Sequence, residues 1–471
     1  MTREQRRVLT IAILASFVSF LDGTVVNVAL PAIDRELGGG LATQQWVVDG
    51  YLVTLGSLIL VAGSVSDAFG RILVLRVGLI AFGVTSLLCA AAVTPEMLVV
   101  GRLLQGIAGA LLVPSSLALL TSTFRDAAQA RAIGIWTAAT TGAMVAGPVL
   151  GGAFVDLLSW RLVFLINVLP IAATMVLLHR LGHVDHRTEG ARVHWLDAIL
   201  CAGGLGAFVF GLIEQPRLGW SDPLVLVALI GGVAAFAIFL MRQRVVASPL
   251  LPLALFRVRN FWAGNIATFF IYGALSLNGF VLGIYLQQGA GLPATLAGLA
   301  YLPTTVIMIA LSSRVGSLAG RWGPRAFMTV GPLVMAVGAL LLLFVRADFD
   351  YGTQVLPGIL VFGIGLTLTV SPLTSAILGS IRTERSGIAS AVNNAVSRVA
   401  GLLAIALIGV LVGSRLDLAA FDRGMIITAV MLVVGGITSF VGIRNRTTTV
   451  AGSERPRTGA DVPGDPGTAH S

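Results

Sequence analysis

Gly63-Ser64-Val65-Ser66-Asp67-Ala68-Phe69-Gly70-Arg71 separates two long apolar stretches, and a looser copy, Gly316-Ser317-Leu318-Ala319-Gly320-Arg321-Trp322-Gly323-Pro324-Arg325, separates two more. Each begins Gly-Ser and ends on glycine and a cation. These islands stand out because the surrounding sequence is almost uncharged. Of 471 residues, 56% are hydrophobic and 11% charged, with a mean hydropathy of +0.92. Soluble domains carry about 25% charged residues, so ordinary globular domains are excluded. A signal peptide or single anchor is excluded by length. What remains is an all-α polytopic membrane protein.

Fourteen nearly uncharged stretches are candidate spans: residues 8–31, 43–65, 73–93, 97–121, 132–155, 161–179, 195–213, 222–241, 260–285, 294–313, 326–345, 352–375, 386–411 and 424–443. At about 20 residues each they fit the chain. All 31 basic residues are arginine, and the net charge is +9. With the N-terminus inside, 23 arginines fall on inner segments and six on outer ones. A missed span would scramble that bias, so both termini are expected on the cytoplasmic side. This orientation accounts for the positive charge without nucleic acid.

Setting spans seven and eight aside, each glycine-rich island follows the second span of a six-span set. Such a parallel repeat builds a central site between two halves. The expected division is a six-helix bundle over 1–194, two linker helices over 195–241, a second six-helix bundle over 242–446 and a disordered cytoplasmic tail over 447–471. The tail is rich in Thr, Gly, Pro and charge, and cannot bury a core.

Asp22 and Asp49 are the acids placed inside spans. A charge at the bilayer centre costs about 2.5–3.5 kcal/mol on insertion scales, so each needs a reason. Helix rise puts both, with Arg102 of the fourth span, in the outer half of the first bundle, where they are expected to form one polar cluster. Burial favours the neutral carboxyl and a nearby guanidinium favours the carboxylate. A site opening first to one side and then to the other can therefore load and release a proton. Arg398, with Asn393 and Asn394, lies mid-span in the thirteenth helix, facing substrate or closing a network across the cavity. Asp67 and Arg71 form an i,i+4 pair worth a few tenths of a kcal/mol on an exposed helix.

Several motifs in order resemble the major facilitator superfamily, specifically its fourteen-span drug:proton antiporter branch. Leu21-Asp22-Gly23-Thr24-Val25-Val26-Asn27-Val28-Ala29-Leu30-Pro31 is similar to that branch's first-span signature. Gly63 to Arg71 resembles the superfamily's loop motif, with Ile72 where a second cation is usual. Arg102-Leu103-Leu104-Gln105-Gly106 resembles the fourth-span motif. Gly142 with Gly147-Pro148-Val149-Leu150-Gly151-Gly152 resembles the fifth-span motif of exporters, and Trp160-Arg161 with Asn167 and Pro170 also fits. The second loop copy has Gly320 where the family has Asp.

The resemblance implies two pseudo-symmetric bundles around a central cavity, with Asp22 as proton carrier tuned by Arg102; Asp49 is expected to assist on its depth alone. It implies that Asp67, with Gly63, Gly70 and Arg71, latches one conformation by docking at a helix N-terminus of the other half. Gly142, Gly147, Pro148, Gly151 and Gly152 would let a neighbouring helix approach closely. Asn27, Gln105, Asn393, Asn394 and Arg398 are the candidate cavity residues.

The chain is thus expected to be a proton-coupled exporter of lipophilic small molecules in a bacterial-type inner membrane, a monomer without cofactor beyond the proton. A dedicated exporter of one metabolite or lipid is the transport alternative, and a non-transporting receptor or scaffold another. No phosphate-binding loop, nucleophile elbow or zinc motif is found. Cys89 and Cys201 lack partner spacing. His179, His183, His186 and His194 read as a solvated loop, and Tyr272, Tyr285, Tyr301, Phe269 and Phe270 as packing or lipid-facing.

Overall fold

The computed structural model describes residues 1–181, 193–246, 249–346, 348–382, 385–413 and 416–445. The tail, His183 and His186 lie outside them. Among the described residues, fourteen helices are long and apolar enough to cross a bilayer: α1 (Arg3–Val28), α2 (Gly40–Phe69), α3 (Arg71–Ala90), α4 (Pro95–Thr123), α5 (Arg131–Leu157), α6 (Leu162–His179), α7 (Trp195–Leu218), α8 (Pro223–Val245), α9 (Arg259–Gly289), α10 (Ala294–Trp322), α11 (Pro324–Phe344), α12 (Tyr351–Leu378), α13 (Gly387–Ala406) and α14 (Leu418–Gly442). The chain is a multi-pass membrane protein. The face on which α1 begins is called basal below, and the opposite face apical.

Every expected span is present, with shifted ends. α1 breaks at a 3-10 turn, Val26–Val28, and Pro31 opens a separate short helix, Leu30–Leu37. Pro31 cannot extend α1 because it has no N–H, but is tolerated in a first turn. The glycine-rich islands are mostly helix rather than loop: α2 runs to Phe69 and α10 to Trp322. Each stops at a left-handed glycine, Gly70 at φ 102° and Gly323 at φ 85°, with the next helix starting at the following residue. The two copies thus share a backbone turn that only glycine adopts without strain.

Side-chain caps set other boundaries. Thr2 and Gln5 form a reciprocal capping box, and Thr94, Asp222 and Asp417 accept from Met97, Leu224 and Ala420 amides. Each such cap is worth about 1 kcal/mol.

Helices α1 to α6 pack among themselves, with α4 against α1, α2 and α3, and α1 against α5 and α6. Helices α9 to α14 do likewise, α11 lying on α12 and α14, and α9 on α13 and α14. α7 and α8 form a hairpin that meets the rest mainly through α7 on α2 and α13. Within it a Cβ at Gly204 would lie 2.9 Å from the Phe236 nitrogen, and one at Gly232 2.6 Å from the Phe208 nitrogen. The hairpin also holds a buried acid that sequence reading did not single out: Asp197, fully buried, accepts from Arg242 Nε at 2.5 Å.

Two seams join the six-helix sets, α2 with α13 and α5 with α10. The α5–α10 packing is concentrated in the first turns of α10, Ala294–Leu299. An apolar cluster including Ile33, Val47, Trp160, Leu282, Tyr285 and Phe421 seals the apical side across both sets. Beyond those first turns of α10, α5 and α10 make no packing of comparable extent among the described residues.

Candidate functional site

Asp22, near the apical end of α1, is completely buried, yet both carboxylate oxygens are hydrogen-bonded. Arg102 Nη1 of α4 donates to Oδ2 at 2.6 Å. Gln105 Nε2, one turn on along α4, donates to Oδ1 at 3.0 Å, and Asn167 Nδ2 from α6 donates to the same oxygen at 2.9 Å. The donors are themselves held. Arg102 Nε reaches the Val47 carbonyl at 2.8 Å, its Nη1 reaches Gln105 Oε1 at 2.7 Å, and Gln105 Nε2 reaches Ser86 Oγ at 2.9 Å. The guanidinium carbon stands 4.4 Å from the Tyr51 ring centroid and 5.7 Å from that of Phe164. Breaking such a buried pair from one side costs about 3–5 kcal/mol, so the carboxylate has a strong structural reason to remain paired.

Five helices contribute to this cluster. Asp22, Arg102 and Gln105 were expected to be functional, though Gln105 was placed at the cavity and instead sits wholly inside the network. Asn167 and Ser86 were missed as site residues. Asn167 enters the sequence reading only as part of the resemblance; an amide in an otherwise apolar helix is a second signal that could have flagged it.

Asp49 does not join the cluster. It is fully buried, and neither oxygen has a hydrogen-bond partner among the described residues. The cause is helical phase. Gly50, the next residue, faces α4, where a Cβ would meet Arg102 and Leu103 at 3.6 Å. Asp49 is turned about 100° away. One turn to either side of it, Gln45 donates to the Ile405 and Ala406 carbonyls and Val53 packs with Val209 and Leu402. Asp49 therefore belongs to the α2 face that meets α7 and α13.

A second arginine lies between the halves. Arg398 of α13 is partly buried, with its Cβ 3.2 Å from the position a Cβ would take at Gly56. Its guanidinium carbon is 5.8 Å from the Phe20 ring centroid. Its Nε is buried without a partner, and no carboxylate lies within 4.0 Å among the described residues. Its expected companion Asn393 turns elsewhere, donating to Thr268 Oγ1 at 2.8 Å on α9. Asn394 and Asn27 are partly exposed.

The fifth-span glycines make the close approaches expected of them, with one exception. A Cβ at Gly147 would collide with the Thr24 hydroxyl, one at Gly151 would lie 2.7 Å from the Val25 carbonyl, and one at Gly152 2.5 Å from the Ala294 carbonyl. Gly142 faces open space. Asp156, at the apical end of α5, accepts from the amides of Ala294 at 3.0 Å and Thr295 at 2.7 Å, capping α10 across the seam. At the basal end Asp67 meets Arg71 at 3.7 Å, and Arg71 donates to the Ala118 carbonyl at 3.2 Å. Among the described residues Asp67 thus pairs within its own half. Gly63 has open space around it. No group of three His, Cys, Asp or Glu suited to a metal ion occurs among the described residues.

The family model described as Major Facilitator Superfamily matches residues 12–405. The chain belongs to the Major Facilitator Superfamily. This superfamily member is 35% identical to the methylenomycin A resistance protein of Bacillus subtilis (strain 168), over 86% of this chain and 87% of that one. It is 34% identical to the tetracenomycin C resistance and export protein of Streptomyces glaucescens, over 84% of this chain and 73% of that one. The crystal structure of a peptide transporter, POT, superimposes with a TM-score of 0.70, covering 94% of both chains at 14% identity. That likeness shows the fold. The superfamily member is accordingly a transport protein and not an enzyme.

Proposed function

We propose that this protein is a proton-coupled exporter of lipophilic small molecules, working by alternating access between residues 1–194 and 242–446, with 195–241 as linker helices. The carrying observation is the Asp22 network. A carboxylate with both oxygens engaged by Arg102, Gln105 and Asn167 is neutralised without a proton. Protonation and release from Arg102 are therefore alternatives, and a movement that separates α1 from α4 favours loading. Asp49 is a second proton acceptor on the face of α2 that slides against α7 and α13.

The apical seal, together with parted α5 and α10 below it, supports a state open on the basal face. In this reading the basal face is cytoplasmic in a bacterial inner membrane and the protein acts as a monomer. Asp67 with Gly63, Gly70 and Arg71 forms the latch engaged when that face closes. The relatives' names, one an antibiotic resistance protein and the other a resistance and export protein, support outward movement of a toxic compound. Because each is named for one compound, export of a single chemical class is the second reading.

The test is substrate-induced proton release from inverted vesicles with an acidified lumen, comparing the native protein with Asp22→Asn at matched expression. Alkalinisation lost in the variant supports the reading. Full exchange by Asp22→Asn, or no response to a panel of cationic and neutral drugs by folded native protein, overturns it.

A further inference from the structure

The intramembrane charges do not cancel where they sit. Asp22 and Arg102 neutralise each other within one network. Asp49 has no hydrogen-bond partner on the α7 and α13 side of α2. Arg398 is left as a cation without a carboxylate at the centre of the molecule. A guanidinium cannot shed its charge by deprotonation. It persists at bilayer depth only where water or an anion reaches it.

The surroundings of Arg398 are those of an open cleft. Across from it the α1 positions Phe20, Gly23 and Asn27 are partly exposed, and Gly23 has nothing within 4 Å of the place a Cβ would take. Phe20 stacks edge-on with Trp136 of α5, their centroids 6.3 Å apart. One wall therefore offers aromatic faces from α1 and α5, while the other offers a fork of N–H donors from α13.

We propose that Arg398 anchors an anionic group on the transported molecule, so that the cleft takes amphipathic acids, an aromatic or conjugated body bearing a carboxylate, in preference to lipophilic cations. This rests on the export reading above and specifies its substrate class. The fixed positive charge selects an anion over a cation, and the bidentate fit of guanidinium to carboxylate adds strength to the contact. Phe20, with its ring centroid 5.8 Å from the guanidinium carbon, and its edge-on partner Trp136 flank the anchored anion, where they receive the ring system.

The experiment uses two xanthene dyes with a common ring system, fluorescein as the anion and rhodamine 6G as the cation. Binding is followed by fluorescence anisotropy with the full chain in phosphatidylcholine nanodiscs. The native protein is expected to bind fluorescein about tenfold or more tighter than rhodamine 6G. Arg398→Gln is expected to erase that preference, and Arg398→Lys to retain much of it with the same melting temperature. Tighter binding of rhodamine 6G by the native protein, or an unchanged ratio in Arg398→Gln, overturns the inference. The two readings fail separately. If rhodamine 6G drives proton release at least as well as fluorescein in the native protein, and Arg398→Gln leaves that ratio unchanged, export stands and the acid preference falls. If fluorescein binds through Arg398 but no dye moves protons, the anion site stands and export falls.

Discussion

Gly298 of α10 lies against Pro148 of α5 so closely that a methyl group at 298 would overlap the Pro148 carbonyl oxygen. The contact joins the two halves at their apical ends, beside the approach of Gly152 to Ala294. Any side chain there wedges the seam in the closed state and is free when it opens.

Gly298→Ala is therefore expected to favour apical opening. Overpacking of about 1–3 kcal/mol applies to one state only, which is a shift of roughly 5- to 150-fold in the opening equilibrium. An Asn27→Cys reporter labelled with a membrane-impermeant maleimide reads this directly, because native Cys89 and Cys201 are buried. Equal labelling with and without Gly298→Ala would remove the wedge argument.

Arg102→Ala strands the Asp22 carboxylate among apolar helices and is expected to destabilise the protein by about 3–5 kcal/mol. The double variant Asp22→Asn with Arg102→Met should recover much of that loss while remaining inactive in proton exchange. Thermal unfolding in detergent separates the two. Arg102→Lys should not substitute, since one guanidinium serves Asp22, Gln105 and the Val47 carbonyl together.

The same logic applies to the linker hairpin. Arg242→Ala leaves Asp197 buried and unpaired, and a melting temperature lowered by several degrees is expected. Asp197→Asn with Arg242→Met should melt close to the native protein. A single variant as stable as the double one would mean the pair contributes nothing.

On the apical surface Glu36 accepts from Trp160 Nε1 and Arg161 Nη1, both at 2.6 Å. The hydrogen bonds from Arg161 and Trp160 hold its carboxyl below the usual glutamate range. The folded value is depressed, so the contact is present above the ordinary range and lost as pH falls through the lowered value. Emission from Trp160, in a variant keeping it as the sole tryptophan, should stay flat from about pH 8 to pH 5 and change only in stronger acid. A transition near about pH 6 would contradict this.

Much of this was legible in the sequence, for a physical reason. Charge is so costly in a bilayer that Asp22, Arg102 and Arg398 announce themselves by position alone, and fourteen apolar stretches announce their helices. Neutral donors carry no such mark. Asn167 and Ser86 complete the Asp22 network from α6 and α3, and only packing brings them there. Asp49 was misplaced by a rotation that depth arithmetic ignores: distance along α2 put it level with the cluster, while helical phase pointed it at α7 and α13. The spans were ended too early, at 65 and 313, because polar residues mark the bilayer edge and not the helix end; the helices run on to the turns at Gly70 and Gly323.

The full engagement of Asp22 has a consequence for a cell that keeps this protein when no toxin is present. A hydronium arriving at the carboxylate meets three donors already on it, an arginine at Oδ2 and two amides at Oδ1, and must compete with them to neutralise Asp22. On the proton-coupled reading proposed above, idle copies do not short-circuit the gradient, and the gene can stay expressed in quiet times without draining the membrane's stored energy.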